Sequence, residues 1–130
     1  MPNRFLIIGA ILIALSIVMG AFAAHGLQSI LDPNQIDSFE TGARYNMYGG
    51  LSLIVLQLLE DGRKISLLWP KRMMLLGTVF FSFSIYLLNL SGPLGLESLK
   101  PVLGPITPIG GVLLIAAWMV VVMVFSRRRK

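Results

Sequence analysis

Two things are scarce in this chain of 130 residues: it has no cysteine, and only 13% of its residues are charged. The lack of cysteine excludes a disulfide-stapled secreted domain, thiolate metal sites and thiol redox chemistry. A soluble domain averages about 25% charged residues, so half that share leaves too little polar surface for a water-soluble globule. Hydrophobic residues make up 55% of the chain, and the mean hydropathy is +0.79. The sequence therefore predicts one membrane domain and excludes disorder or a collagen-like fibre.

Four hydrophobic blocks predict an all-α integral membrane fold, with four transmembrane helices in an antiparallel bundle. The first block, residues 5–24, carries no charge and is long enough as a helix to cross about 30 Å of hydrocarbon. The blocks are continuously apolar, whereas the strands of a membrane barrel alternate apolar and polar residues. The predicted spans cover approximately residues 5–25, 38–59, 71–90 and 106–126, with outer loops 26–37 and 91–105 and a cytoplasmic loop 60–70.

The helix of the second span has two possible starting points. Asp32 is a good N-cap residue, Pro33 suits the first helical position, and Gln35 stands where the partner in a capping box belongs. These three residues favour a helix that begins at Pro33 and is polar in its first part. Asp37 and Glu40 offer alternative caps for a later start, so the boundary stays open at this point.

Proline and aromatic residues near the last two spans indicate where helices begin and where the membrane interface lies. Thr107 followed by Pro108 is typical of an N-cap and first helical position, which predicts that the fourth helix starts near residue 106. The proline-rich residues 91–105 predict a stiff, irregular outer loop before it. Trp69 and Tyr86 lie near span ends, where aromatic rings favour the membrane interface.

Nine of the eleven basic residues fall on one side of the predicted membrane: Arg4, Arg63, Lys64, Lys71, Arg72, Arg127, Arg128, Arg129 and Lys130. By the positive-inside rule, this bias places both termini in the cytoplasm, an N-in and C-in topology. The last four of these residues are predicted to anchor the topology, and they are also suited to contacting anionic lipid. Because the basic residues do not share a face with interleaved aromatics, no nucleic-acid partner is expected.

The first span also fits a different interpretation, a secretory signal peptide. Arg4 precedes the hydrophobic block, and Ala21-Phe22-Ala23 resembles a small-x-small cleavage site. The block is longer than the hydrophobic region of a typical signal peptide. We therefore expect an uncleaved first span.

Several classes of chemistry are excluded by what the spans lack. No Asp, Glu, Lys or Arg lies deep in any predicted span, whereas proton-coupled carriers, ion pumps and voltage sensors generally place such residues there. The sequence contains no Ser/His/Asp arrangement, phosphate loop, paired carboxylates or zinc-ligand spacing. We therefore expect neither an enzyme nor a bound cofactor or metal.

The polar residues at the outer ends of the first two spans are the best candidates for a binding role. His25, the only histidine, is followed by Gly26 at the predicted helix end, where an imidazole suits the helix dipole. It is also placed to meet Asp37, Glu40 or Tyr45 from the next segment. A haem or metal role would need a second ligand. Arg44 is expected to snorkel, to contact a lipid phosphate or to pair with Glu40, its i−4 neighbour.

Every predicted span also carries a stripe of small residues, which allows close helix packing. We expect most of these stripes to pack helices within the chain. The alternative is that one of them mediates homo-oligomerisation or binds a helix of a partner membrane protein.

Four segments of the chain resemble the small integral membrane proteins of the YwdK/YgdD type, a domain family of unknown function with mitochondrial relatives in animals. The segments are residues 20–27 (GAFAAHGL), 39–48, 81–86 and 107–111, in the right order along the chain. Two positions depart from the family pattern, which usually has a His-Ala pair at Gly49-Gly50 and a glycine at Phe83. The resemblance implies a four-span fold in a bacterial inner membrane, without a two-histidine site, and it implies no known activity.

We expect the outer face to carry the family motif together with third-span residues: His25, Gly26, Glu40, Arg44, Tyr45, Ser82, Ser84 and Tyr86. Our hypothesis is a structural or accessory role in which this face binds a partner membrane protein or a lipid-like molecule, because small residues and hydroxyls suit a lipophile. The alternative is a channel or facilitator for a small neutral or anionic solute, which requires a continuous polar path through the bundle.

Overall fold

The computed structural model describes residues 3–128, and within that range the chain forms helices and turns without a strand. The four long helices are α1 (Arg4–Ala24), α2 (Pro33–Arg63), α3 (Leu68–Leu90) and α4 (Lys100–Arg127), with a short 3₁₀ turn (Glu97–Leu99) before α4. The all-helical prediction is confirmed. The start of α1, the end of α4 and the α2–α3 connection lie at one end, here named the terminal end. The α1–α2 and α3–α4 connections lie at the other, the connection end.

Three segments of residues 3–128 are long and apolar enough to cross a membrane: Arg4–Ala24, Leu68–Leu90 and Glu97–Arg127. Helix α2 is not among them, because both of its ends carry acidic and basic residues. Its 31 residues nevertheless extend over about 46 Å. The structure is therefore consistent with an integral membrane protein, and the fourth span remains a prediction.

Helix α2 begins at the earlier of the two predicted positions. The Gln35 backbone N–H donates to Asp32 Oδ1 at 2.9 Å, and the Asp32 backbone N–H donates to Gln35 Oε1 at 2.9 Å. This is the predicted capping box, with Pro33 in the first turn. The later start at Asp37 or Glu40 is excluded.

Helix α4 begins earlier than the sequence predicts. The interpretation of Thr107-Pro108 as a helix start is wrong, because the helix already begins at Lys100 and includes Pro105 and Pro108. Pro101 stands in the first turn, where its missing N–H would have no helical partner in any case. The Thr107 side chain lies 2.6 Å from Ser84 Oγ of α3, so it joins two helices instead of capping one. The irregular part of the predicted outer loop is correspondingly shorter.

Each helix packs mainly on its neighbour in sequence, so the molecule consists of two helical hairpins, α1–α2 and α3–α4, joined by α2 against α3. Glycines bring the backbones together within each hairpin. A Cβ atom added to Gly50 would lie 2.7 Å from the Gly9 carbonyl oxygen, and one added to Gly110 would lie 2.9 Å from the Gly77 carbonyl oxygen. Some of the predicted small residues therefore pack helices within the chain.

Helix α3 is interrupted by one π-helical turn, Val79–Phe83, between regular α-helix on both sides. A π turn inserts an additional residue and rotates the segment that follows. Across this turn, α3 faces α2 continuously: Tyr86 lies beside Gly42 and Thr78 beside Gly49. The π turn thus lies in the middle of the interface that joins the two hairpins.

Candidate functional site

The eight predicted site residues occupy two different environments. His25, Gly26, Glu40, Arg44 and Tyr45 lie in the half of the molecule toward the connection end and are wholly or partly exposed, whereas Ser82, Ser84 and Tyr86 are buried between helices. They do not form one continuous face. The surface group and the buried group therefore need separate descriptions.

A groove between α1 and α2 brings together two of the surface candidates, Glu40 and Arg44. Its volume is about 320 Å³. Its lining, here named the α1–α2 groove, consists of Ser16, Gly20, Glu40, Ala43, Arg44, Met47 and Tyr48. Because Gly20 and Ala43 have small side chains, the two helices leave space there. The charged pair lies toward the connection end, and mostly apolar side chains follow along α2.

The Arg44 side chain makes a single hydrogen bond within the described part of the chain, from Nη2 to Thr41 Oγ1 at 3.0 Å. The alternative of an ion pair with Glu40 is not realised, since no such pair within 4.0 Å occurs among residues 3–128. A guanidinium has five N–H donors. Arg44 therefore presents several donors at the groove without an internal acceptor.

His25 lies apart from Glu40 and Arg44. It is the C-cap residue of α1, and its backbone N–H donates to Ala21 O at 3.1 Å. Gly26 follows it, and the Leu27 N–H closes the helix end on Phe22 O at 2.9 Å. Among the described residues the His25 imidazole makes no hydrogen bond, and no cluster of three His, Asp or Glu residues suited to a metal occurs there.

Tyr45 belongs to a second groove, between α2 and α4. Its ring centroid lies 5.4 Å from that of Tyr48 and 4.7 Å from that of Phe81. Tyr48 lines both grooves, and Trp118 of α4 forms the opposite wall of this one. This groove, with a volume of about 240 Å³, has a predominantly apolar and aromatic lining.

Two of the three buried candidates, Ser84 and Tyr86, contact neighbouring helices, whereas the Ser82 hydroxyl has no hydrogen-bond partner among residues 3–128. Ser84 Oγ donates to Phe81 O at 2.9 Å and also meets Thr107 Oγ1 of α4. Tyr86 is only 3% exposed, and its ring centroid lies 4.8 Å from that of Phe39. Gly42 leaves room for its ring against α2, so the ring packs inside the protein, and the location of Tyr86 at the depth of the membrane interface stays a prediction.

A buried ion pair at the terminal end is the main polar feature that the sequence does not reveal. Lys71 is 2% exposed, and its Nζ donates to Glu60 Oε1 and to Gln57 Oε1, each at 2.6 Å. The Phe5 ring of α1 lies 4.5 Å from the same ammonium. Glu60 Oε2 accepts the Leu67 N–H at 2.5 Å, ahead of the first turn of α3. We name these five residues the Lys71 cluster; it connects α1, α2 and α3.

The direction of the shift in the pKa of Glu60 agrees with its pairing to Lys71. Burial raises the pKa of the Glu60 carboxyl, but the hydrogen bonds from Lys71 and the Leu67 N–H outweigh burial, so the pKa lies below its ordinary value of 4.5. The carboxylate is therefore ionised beside the ammonium at neutral pH. Lys71 was expected to be one of several surface charges that set the topology. Lys71 lies eleven positions after Glu60, across the α2–α3 connection, so no pattern within a single helix links the two in the sequence.

Two of the four basic residues predicted to anchor the topology lie within the described part of the chain. Arg127 and Arg128 are exposed, as expected of topology anchors. Arg129 and Lys130 lie outside the described residues.

Comparison with known proteins identifies a family and several relatives of this chain. A model of the family "Protein of unknown function (DUF423)" matches residues 19–111. A UPF0382 membrane protein of Staphylococcus haemolyticus is 38% identical over 92% of this chain and 92% of its own length. The UPF0382 membrane protein YwdK of Bacillus subtilis is 36% identical over 92% of this chain and 93% of its own length. No solved structure matches the chain.

These similarities confirm the resemblance to YwdK-type proteins. The relatives are named as membrane proteins, and the described chain contains three helices able to cross a membrane. The exposed apolar side chains of α1 and α4 are suited to contact with lipid. The chain is a membrane protein and belongs to the DUF423 family, whose function is unknown.

Proposed function

We propose that this protein is a four-span inner-membrane protein, N-in and C-in, whose α1–α2 groove binds an aminophospholipid. One observation carries the binding proposal: Arg44 and Glu40 stand side by side at the head of a largely apolar groove, and they are not paired with each other. The protein then acts as an accessory component that retains a specific lipid. The four-span topology is the condition that brings this groove into the outer leaflet.

Helix α2 supplies the fourth span because it follows its neighbours through most of their length. Gly42 contacts Tyr86 near the connection end, and Gln57 contacts Lys71 near the terminal end. Between these levels, Gly50 contacts Gly9 of α1. If α1 and α3 cross the bilayer, the part of α2 that packs between them crosses it as well. Residues 45–59 of α2, which carry no charge, supply the apolar part.

The topology makes a prediction that the absence of cysteine renders simple to test. A single cysteine at Ser29, which is exposed at the connection end, is expected to react with a membrane-impermeant maleimide in intact spheroplasts. A single cysteine at Ser66, exposed at the terminal end, is expected to react only after the membrane is permeabilised. The two variants are matched controls for each other. Labelling of both in intact spheroplasts, or the reverse order, would contradict the topology.

The chemistry of the groove selects the lipid class. A guanidinium binds a phosphate through paired charge-assisted hydrogen bonds, and Arg44 has donors available for this. Glu40 can accept the ammonium of the same head group, since both residues line the groove. An acyl chain then lies along Gly20, Ala43 and Met47. A head group with both a phosphate and a primary amine satisfies both charges, whereas phosphatidylglycerol leaves Glu40 unpaired.

The test is native mass spectrometry of the full chain released from nanodiscs with equal parts phosphatidylethanolamine, phosphatidylglycerol and phosphatidylcholine. We expect phosphatidylethanolamine to be retained preferentially. Arg44→Gln should weaken retention about tenfold, or roughly 1.4 kcal/mol, through loss of charge-assisted hydrogen bonds. Gly20→Leu should also reduce retention, because it fills the groove at a position where an added Cβ meets no atom within 4 Å.

The matched control is Gly104→Leu on α4, since that glycine is equally open and lies outside the α1–α2 groove. This variant should retain lipid as the wild type does. Equal retention of all three lipids by the wild type would refute the proposal. If Gly104→Leu also lost lipid, the loss in the Gly20 variant would have to be attributed to a general disturbance of helix packing and not to filling of the groove. Crosslinking of groove residues to a protein, with no lipid retained, would favour the partner-protein hypothesis.

The interior favours this proposal over a solute channel. At the levels of Leu53 and Leu56 on α2, the core contains fully buried apolar side chains that pack with Leu12 and Met74 from the neighbouring helices. A solute path would have to pass this apolar layer.

A further inference from the structure

The α2–α3 interface contains three buried polar atoms that have no hydrogen-bond partner within residues 3–128: Asn46 Oδ1, Ser82 Oγ and Tyr86 Oη. Asn46 and Ser82 are fully buried, at 0% exposure. An unsatisfied buried polar group is costly, and it is especially so at membrane depth, where lipid offers no hydrogen bonds. The three atoms therefore require a common explanation.

The register of the two helices places these residues close together. Gly42 lies beside Tyr86 and Gly49 beside Thr78, so Asn46, which lies between the two glycines, is level with Ser82. Tyr86 follows Ser82 by one turn, and aromatic side chains on a helix lean toward its N-terminus. The ring of Tyr86 packs on Phe39 and beside Gly42 of α2, so Tyr86 adjoins the level of Asn46 and Ser82.

The orientation of the Asn46 amide is fixed. Its Nδ2 donates to the Leu12 carbonyl oxygen of α1 at 2.5 Å, and a carbonyl accepts only from a donor, so the amide cannot be flipped. Because the nitrogen is directed toward α1, the Oδ1 atom is directed away from it. It is a buried acceptor that lacks a donor among residues 3–128.

Ser82 differs from the other buried serine and threonine residues of the described chain. Ser16, Thr78, Ser84 and Ser91 each donate to a carbonyl of their own helix, at 2.7 to 2.9 Å. Ser82 alone makes no such bond, and it lies within the π turn, where the regular backbone pattern is broken. Single π turns inside helices are frequent at functional sites. Its hydroxyl is thus available to an additional partner.

We propose that Asn46, Ser82 and Tyr86 form an internal binding site for a water molecule between the two hairpins. The donors and acceptors balance: the water donates to Asn46 Oδ1 and to one hydroxyl oxygen, and it accepts from the other hydroxyl. Buried waters typically make about three such bonds. The site bridges α2 and α3 at the level of the π turn and satisfies the polar atoms that lipid cannot reach.

The test is a crystal structure of the full chain grown from a lipidic mesophase at a resolution that shows ordered water. We expect a density peak at hydrogen-bond distance from Asn46 Oδ1 and from at least one of the two hydroxyls. The double variant Ser82→Ala/Tyr86→Phe leaves only Asn46 as a partner and should lose the peak. Ser84→Ala should keep it, because the Ser84 hydroxyl already has its partners in the protein.

A second measurement keeps the proposal testable if a variant does not fold. In the wild type in nanodiscs, magnetisation transfer from water to the Asn46 and Ser82 protons should be seen by NMR. Its absence would overturn the proposal, as would a direct Asn46–Ser82 hydrogen bond with no intervening density. A density peak that remains unchanged in the double variant would overturn it as well.

Discussion

Replacing Lys71 with methionine is expected to lower the free energy of unfolding by about 3 kcal/mol, the lower end of the range for breaking a buried ion pair. The variant removes the ammonium and leaves the Glu60 carboxylate and the Gln57 side-chain oxygen without their shared donor. It also removes the cation from the Phe5 ring. We choose the lower end because Glu60 remains 24% exposed, so water compensates for part of the loss. Unfolding in mixed detergent micelles with increasing dodecyl sulfate measures the change.

Two further variants separate the buried charge from general effects. Lys100→Met removes an exposed ammonium and should change stability by no more than about 0.5 kcal/mol. Adding Glu60→Gln to Lys71→Met removes the stranded carboxylate and keeps an acceptor for the Leu67 N–H, so part of the lost stability should return. A Lys71→Met variant as stable as the wild type would show that the Lys71 cluster contributes little. A double variant less stable than Lys71→Met would show that the stranded charge is not the cause.

Replacing Gly110 with alanine is expected to cost about 3 kcal/mol, the upper part of the range for overpacking. The added Cβ would overlap the backbone nitrogen of Phe81 and would lie 2.9 Å from both Gly77 O and the backbone carbon of Phe80. All three atoms belong to the backbone of α3, so no side-chain rotation relieves the contact. Helices α3 and α4 would have to separate.

The adjacent glycine provides the control for this prediction. A Cβ added to Gly111 would meet only the Phe81 ring, at an ordinary contact distance of 3.7 Å. Gly111→Ala should therefore be neutral or slightly stabilising, since alanine favours a helix over glycine. The same dodecyl sulfate titration compares the two variants. Equal effects at both positions would contradict the close backbone contact and indicate a general sensitivity of this helix.

Local signals in the sequence predict much of this fold. The capping box at Asp32 and Gln35 depends on residues three apart, and it gives the start of α2 correctly. The charge-free blocks identify α1, α3 and α4 as long apolar helices. The start of α4 could not be predicted in the same way. Thr107 and Pro108 form a valid local cap signal, but the pairing of Thr107 with Ser84 is a long-range contact that the local pattern does not contain.

The candidate site is less predictable because its main contacts join distant segments. Tyr86 lies near a span end in sequence, yet Gly42 makes room for its ring inside the molecule. Lys71 stands in a basic segment of the sequence, yet it is buried in the protein, where it donates hydrogen bonds to Glu60 and Gln57. Arg44 and Glu40, by contrast, are i and i−4 on one helix, and their shared location at the groove follows from that spacing.

The two pairs of touching glycines have a consequence for biosynthesis. Each pair lies within two consecutive helices, Gly9 with Gly50 and Gly77 with Gly110, so neither glycine contact involves the other hairpin. The first hairpin is complete in sequence once Arg63 has been synthesised, before α3 has emerged from the ribosome. Chains are made from the N-terminus, and their units fold in that order. Assembly then ends when the finished halves meet along α2 and α3, and the Lys71 cluster forms at that step.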